Sequence, residues 1–486
     1  MEPLITLNDR ELVGYNRFES MKILDDENRK DKSFSRYIDE NYKNYDITKS
    51  YPGCENYPNP TRSEILKMDY RSLFNINQLE YMSCYIMNKY RIEIIDKIKS
   101  NKDWLYGMRS ISRDSPVYTG EEELKNYFVI KITDQLKIRG NLKPSDEVTH
   151  EGLVGILGTN KMRALIPNFS YIYGNFTIPK CPVQKDVFSN DTCSVTIYER
   201  IIGKVFKDFI KSCNFTEFIN CILQVALSLL VASRNIDFTH YDLHTQNLII
   251  KPLMEMINIT YESYDLRTPF VATFIDYGSS YIKIGSDSYG RGGMEYYGIL
   301  PRESFWIMDV GKLIFSTFTS TNPTYLKYMY KISYDNAMND FRKLLNDLKS
   351  TYDSTVDDIY TDYVTNEITY EDYENYMRES KLDYEDEVDN VHKKIRTYQD
   401  DVRNKINAIE ADEISRNEFH QKLKFLLHFF IEEEDPVSFM INYKLKYQFL
   451  EIFKTPNNKD VTIYDFVDFV VENFEETQSF LFYNQK

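Results

Sequence analysis

Cysteine is sparse in this chain of 486 residues. Its six cysteines, at 54, 84, 181, 193, 213 and 221, form no C-x-x-C pair and no cluster with histidine. A zinc site of ordinary spacing is therefore not expected, and the thiols are expected reduced and unpaired, as in a reducing compartment. Basic charge is also short: 59 Lys and Arg stand against 75 Asp and Glu, a net charge of −16. A nucleic-acid backbone as the main partner would call for the opposite balance. Long apolar runs are missing too. The longest, Cys221 to Ala232, is interrupted by Gln224 and Ser228 and is too short to cross a bilayer, so no membrane partner is expected. The start, Met1-Glu2-Pro3-Leu4, has neither the basic residues nor the apolar core of a signal peptide, and a cytoplasmic protein or one packaged in a particle is expected. Tyrosine (40) and phenylalanine (30) are abundant beside many Ile, Lys and Asn. That bias fits AT-rich coding.

The length allows two or three domains or lobes. Residues 1–104 read as an irregular arm, marked by Pro52-Gly53 and Pro58-Asn59-Pro60, followed by a helical extension. Its clearest helix runs from Asn77 to Ser100, with apolar positions at three-to-four spacing. Residues 105–200 are mostly strand, with Val117-Tyr118, Tyr127–Ile132, Phe169–Tyr173 and Val195–Tyr198 around one helix near Asp146–Leu157. Residues 201–486 are mostly helical, beginning with the amphipathic run Thr216–Ser233. Within them an acidic, Tyr-rich stretch at about 348–412 predicts long amphipathic helices with a solvated face, a structural insertion or a docking surface for basic partners. The overall expectation is α+β.

The chemistry gathers in Phe238-Thr239-His240-Tyr241-Asp242-Leu243-His244-Thr245-Gln246-Asn247 and, downstream, in Phe274-Ile275-Asp276-Tyr277-Gly278. The first carries H-x-D-L-x-x-x-N; the second sets a carboxylate on a turn after a strand. Phe128-Val129-Ile130-Lys131 places a lysine on an earlier strand, and Glu151 lies twenty residues further on, with Glu147 its competitor. These parts, in this order over about residues 105–315, resemble the protein-kinase-like superfamily. The resemblance implies a bilobal fold, a small β-rich lobe before a large helical one, binding ATP and Mg²⁺. It makes Asp242 the group that orients and deprotonates an acceptor hydroxyl, and Asn247 and Asp276 the metal ligands. Lys131 would contact the α- and β-phosphates and pair with Glu151. Ile197-Tyr198-Glu199-Arg200-Ile201 resembles the hinge between lobes, where backbone groups of Glu199 and Ile201 would meet adenine. Trp306–Gly311 resembles the helix whose buried Asp, here Asp309, ties down the catalytic loop.

Three departures sharpen the resemblance. Ser110–Tyr118 lacks the glycines of a phosphate-cradling loop; only Val117-Tyr118 is in register, with Val117 fourteen residues before Lys131. Tyr241 stands where many kinases carry an Arg that pairs with a phosphorylated activation loop. His244 occupies the place of a Lys that commonly helps neutralise the transferred phosphoryl group. Asp-Leu-His with Ile-Asp-Tyr is similar to haspin-like kinases, and the whole phrase, with Ile166-Pro167-Asn168-Phe169, resembles serine/threonine kinases of large DNA viruses. The resemblance implies transfer to Ser or Thr of a protein substrate, a basic one fitting the acidic chain, in host cytoplasm or virion. Two other readings stay open: a small-molecule kinase of the aminoglycoside or choline type, and a pseudokinase scaffold. Ser279, Ser280, Ser286, Ser288 and Tyr289 are candidate phosphosites.

Overall fold

The computed structural model describes residues 54, 61–67, 76–99, 117–119, 124, 126–132, 144–178, 181–184, 187–189, 193–285, 287–290, 304–431 and 461–483. The segment 110–116, in place of a glycine-rich loop, lies outside the described residues, as do most of the arm, Ser286 and the side chain of Glu147. The chain divides into two compact units, residues 318–424 with 437–441 forming one and the remainder the other.

In the larger unit, α1 (Arg62–Leu66) starts at a Thr61–Glu64 capping box. It precedes α2 (Ile76–Tyr85) and α3 (Arg91–Lys99), which one π turn, Ile86–Tyr90, joins into a single helical run. Their apolar face meets a four-stranded antiparallel sheet of order β1-β2-β6-β3, made of β1 (Val117–Thr119), β2 (Phe128–Ile132), β3 (Ile172–Ile178) and β6 (Cys193–Glu199). Tyr90 packs on Phe128 with ring centroids 5.0 Å apart. Gly174 permits the approach: a Cβ there would lie 2.1 Å from the Met87 sulfur. Between β2 and β3 run α4 (Pro144–Val154), a second π turn and α5 (Asn160–Leu165); a small hairpin, β4 (Cys181–Gln184) and β5 (Val187–Ser189), precedes β6. The thiol expectation fails at one pair. Cys54 and Cys84, the latter on α2, form a disulfide with Cα atoms 5.6 Å apart. Their thirty-residue spacing gives no sequence signal, whereas Cys213 and Cys221 are buried and form no disulfide.

Past Glu199 come the short β7 (Lys204–Val205) and α6 (Phe206–Phe209), then α7 (Phe215–Ile236). An Asn214–Glu217 capping box starts α7, and Asp237 ends it in the left-handed conformation, φ 48°. The helix extends beyond its longest apolar run. By length and composition it could cross a membrane, but 89% of its most apolar window is buried inside the protein. The buried Gln224 is matched: its Nε2 lies within 3.1 Å of Asn220 Oδ1, Thr268 Oγ1 and the Phe270 carbonyl, and its Oε1 accepts from the Ala272 amide and Asn168. A buried amide left unmatched would cost ~1–3 kcal/mol. Strands β8 (Leu248–Tyr261) and β9 (Tyr264–Phe274) form a long antiparallel hairpin, followed by β10 (Ile282–Ile284), β11 (Asp287–Tyr289) and α8 (Trp306–Thr321).

The smaller unit is built on two long helices, α9 (Pro323–Val364) and α10 (Tyr370–Ser415), packed on each other. Asn322 caps α9 with Pro323 in its first turn, and a Thr369–Asp372 capping box starts α10. The helices extend well outside the acidic stretch, beginning twenty-five residues before it. Tyrosines fill the seam: Tyr352 stacks on Tyr384 at 4.6 Å, and Tyr363 lies 4.8 Å from Tyr373. Two helices cannot bury many large apolar side chains; tyrosine gives apolar area while its hydroxyl stays wet. After α11 (Asn417–Leu427), the chain returns through α12 (Ile463–Asn473) to β12 (Leu481–Tyr483), which completes a sheet of order β12-β9-β8-β7.

Candidate active site

The β8–β9 ladder brings the two sequence phrases together. Leu248 pairs with Phe274, so the residues just outside the ladder are neighbours, and the Ile275 amide donates to the Asn247 carbonyl at 3.1 Å. Asp276 follows in the left-handed region, φ 66°, as does Tyr241, φ 60°. Neither is glycine, and such a conformation costs on the order of 1–3 kcal/mol unless the surroundings fix it. Here they do. The His240 ring accepts from the Asp242 amide at Nδ1 (3.3 Å) and meets the Ile275 carbonyl at Nε2 (2.9 Å). Both ring nitrogens are thereby used by a neutral imidazole, and burial lowers its pKa.

Two buried residues support this ladder from behind. Asn168 donates to the Ala272 carbonyl at 2.8 Å and accepts from the Tyr261 hydroxyl at 2.8 Å. The Phe274 amide donates to its carbonyl. The Tyr277 hydroxyl lies 3.0 Å from the Phe274 carbonyl and 2.9 Å from the Ser170 amide. The sequence marked Asn168 only as part of a phrase. Its structural role depends on three distant segments meeting, which no local pattern reports.

Lys131 sits between two carboxylates, its Nζ 2.8 Å from Glu151 Oε2 and 2.7 Å from Asp276 Oδ1. The structure therefore pairs Lys131 with Glu151. Burial pushes Glu151 up to about 7 against the pull of Lys131. Burial also acts upward on Asp276, but the adjacent ammonium prevails and its pKa is lowered. Helix α4 is attached to the segment after Asp276 twice more: the Tyr277 amide donates to Glu151 Oε1 at 3.1 Å, and His150 Nε2 lies 2.7 Å from the Ser280 carbonyl. Ser280 is fully buried, which removes it as an accessible phosphosite.

Asp309 accepts the His240 and Tyr241 amides at 2.6 and 2.8 Å. Burial pushes its carboxyl up to about 7 despite these bonds. One turn along α8, Lys312 Nζ lies 2.6 Å from Asp242 Oδ1 and 3.0 Å from the Tyr241 carbonyl. His244 Nε2 lies 3.7 Å from Asp242 Oδ2. Burial would raise the Asp242 pKa, but Lys312 first, then His244, hold it below the usual carboxylate range. Lys312 was not anticipated. It carries no motif, and its only sequence signal is a lysine three residues after Asp309, on the same helix face.

The remaining expected site residues surround this group. Val117 pairs with Lys131 in β1–β2. Lys131 pairs with Thr196 on β6, and Glu199 lies three residues beyond, opposite Phe128, about 10 Å along the strand. The Glu199 side chain turns inward: Arg163 clamps it at 3.1 and 3.2 Å, and its own amide donates to the Tyr171 carbonyl at 2.7 Å. Only its backbone carbonyl is then suited to the contact expected of it. Ile201 follows β6 and is half-buried.

A hard cation binds to oxygen donors, and Mg²⁺ takes one or two protein ligands with phosphate and water completing its shell. Asn247 Nδ2 donates to the Asp242 carbonyl at 2.9 Å, which leaves Oδ1 as its free donor, and Asp276 supplies a carboxylate. The pair fits that requirement. Among the described residues no set of three or more His, Cys, Asp and Glu gathers as a metal site.

No protein-family model matches the chain. It is 25% identical over 216 residues to a protein named "Probable kinase 098L" of Invertebrate iridescent virus 3, an alignment covering 43% of this chain and 38% of that protein. It is 23% identical over 229 residues to "Uncharacterized protein 035R" of the same virus, covering 42% and 20%. A third similarity, 24% over 172 residues, is to "Uncharacterized protein 179R" of Invertebrate iridescent virus 6, covering 32% and 14%. The chain thus spans well under half the length of each of these curated relatives.

Proposed function

We propose that this chain is an ATP- and Mg²⁺-dependent kinase that transfers the γ-phosphoryl group to Ser or Thr hydroxyls of protein. The observation that carries this reading is the convergence of Lys131, Glu151 and Asp276 at one end of a ladder whose other strand leads back to Asn247 and Asp242. A viral relative named as a probable kinase supports it. The β1-β2-β6-β3 sheet with α4 would be the small lobe, and α7, the β8–β9 hairpin and α8 the centre of the large one.

Each residue then has a task. Phosphate oxygens compete with Asp276 for Lys131, which Glu151 holds in place. The Glu199 carbonyl and the Ile201 amide take the adenine edge, with β1 and Val117 alongside. Asp276 and Asn247 Oδ1 would hold Mg²⁺, which would supply charge neutralisation on the phosphates. Asp242 accepts a hydrogen bond from the substrate hydroxyl. As that oxygen bonds to the γ-phosphorus, the bond to the β,γ-bridging oxygen breaks; the hydroxyl proton passes to Asp242 and ADP leaves. An Asp held strongly anionic is a weak base. It therefore orients first and takes the proton late, which suits a loose transition state.

The test is γ-phosphoryl transfer from ATP to basic proteins, with wild type beside Asp242→Ala and Asp276→Ala. Wild-type turnover at least 10³-fold above both variants is expected. Equal background in all three would leave a scaffold. Transfer to small hydroxylated metabolites and never to protein would favour the small-molecule reading, which His244 beside Asp242 supports.

A further inference from the structure

We propose that Lys312 is a positioning residue of this site, supplying from helix α8 the cation that the catalytic loop does not carry at position 244. The inference rests on the kinase reading and concerns how Asp242 is held. Four carboxyl groups gather here, Glu151, Asp242, Asp276 and Asp309, against two lysines. Lys131 is engaged by Glu151 and Asp276. Lys312 faces the other half: its ammonium binds Asp242 Oδ1 at 2.6 Å and the Tyr241 carbonyl at 3.0 Å. Its side chain is 18% exposed and that of Asp242 39%, so the pair is partly shielded from water.

The placement on α8 is specific. Asp309 and Lys312 stand one turn apart and grip consecutive residues of the loop with opposite charges. Asp309 takes the amides of His240 and Tyr241; Lys312 takes the carbonyl of Tyr241 and the carboxylate of Asp242. Tyr241, left-handed and fully buried, is thus fixed at both ends of its backbone. With Oδ1 on Lys312, the Asp242 carboxylate cannot rotate freely, and Oδ2 is the oxygen left for an acceptor hydroxyl. His244 Nε2 is 3.7 Å from Oδ2 and Asn247 Nδ2 3.5 Å, contacts too long to fix it alone.

The experiment uses the full chain and four proteins: wild type, Lys312→Gln, Lys312→Arg, and the double variant Lys312→Gln/His244→Lys. Glutamine keeps an N–H donor for the Tyr241 carbonyl while removing the charge, so the loop fold is preserved and a melting curve checks it. Expected is a fall in kcat on the order of 10²-fold for Lys312→Gln, with KM for ATP within about threefold and Tm little changed. Arginine should retain most of kcat, and His244→Lys in the glutamine background should recover at least about tenfold, because a cation at 244 reaches the same carboxylate. Lys312→Gln turning over within threefold of wild type would overturn the proposal. So would a double variant no faster than the single one, or a loss explained by lowered Tm in both Gln and Arg variants. Asp242→Asn separates the two ideas: if wild type shows no transfer beyond Asp242→Asn, the kinase reading itself fails.

Discussion

Charge is used in opposite ways in the two units. In the larger, it is concentrated around a partly buried site: Glu151 and Asp309 are fully buried, Lys131 pairs with the half-buried Asp276, and Lys312 pairs with the half-buried Asp242. In the helical hairpin, charge is spread along solvated faces and paired at helical spacing, as in Lys381–Glu385 at 3.9 Å with both side chains more than half exposed. Only Val391 and Val402 of α10 are buried. Buried charges act strongly and depend on their partners, whereas exposed ones are screened and interchangeable. The comparison predicts steeply graded consequences for equally small substitutions.

A large effect, next below those at Asp242 and Asp276, is expected at Glu151. Glu151→Gln keeps the shape but removes the charge that holds Lys131, freeing Lys131 to stay with Asp276. A loss on the order of 10²-fold in kcat/KM for ATP is expected from a misplaced lysine, with little change in protein-substrate KM. Steady-state kinetics varying each substrate checks this. Activity within threefold of wild type would show that the buried pair is structural and would blur the contrast between the units.

How far the sequence foretold these differences depends on how local each signal is. His240 to Asn247 could be recognised because its contacts run between residues two to five apart, and Lys131 because it lies on a short apolar strand. Helix α7 was legible from its apolar periodicity. Lys312 was not, because its meaning lies in a tertiary contact seventy residues back. The Cys54–Cys84 bond was hidden for the same reason. Of the β8–β9 hairpin only the strand leading to the turn at Asp276 is legible, since the exposed Met254 and Met256 and Pro252 break the alternation of β8. The helical hairpin begins before its acidity does, at Pro323, and only the helical spacing of Tyr325 to Tyr334 marks that start in the sequence.

A smaller, thermodynamic effect is expected at Asp309. Asp309→Asn leaves only one good acceptor for two amides, and a lost hydrogen bond to a buried charged group costs about 1.5–3 kcal/mol. The folded pKa, pushed up to about 7, lies above the unfolded value near ~3.9. The folded state therefore holds a proton that the unfolded state releases. The associated stability is fully present below the unfolded value and is lost as pH rises through about 7. Denaturant unfolding at pH 5, 6, 7 and 8 should show this decline in wild type and a shallower one in Asp309→Asn. Parallel curves would mean that Asp309 does not titrate in this window.

The smallest effect belongs to the hairpin surface, where the comparison can be tightened within one unit. Replacing both Lys381 and Glu385 by Ala removes an exposed pair but adds two good helix formers, so stability should change by about 0.5 kcal/mol or less. Tyr352→Ala, on the seam of the same hairpin, removes a ring stacked at 4.6 Å on Tyr384, and such a pair contributes about 0.5–1.5 kcal/mol beyond its buried area. The tyrosine substitution should therefore lower thermal stability clearly while the charge substitution does not, and added salt should alter neither difference much. If the charge variant proved the more damaging, the hairpin would depend on its ion pairs as the larger unit does. The distinction between concentrated and spread charge would then fail at its simplest point.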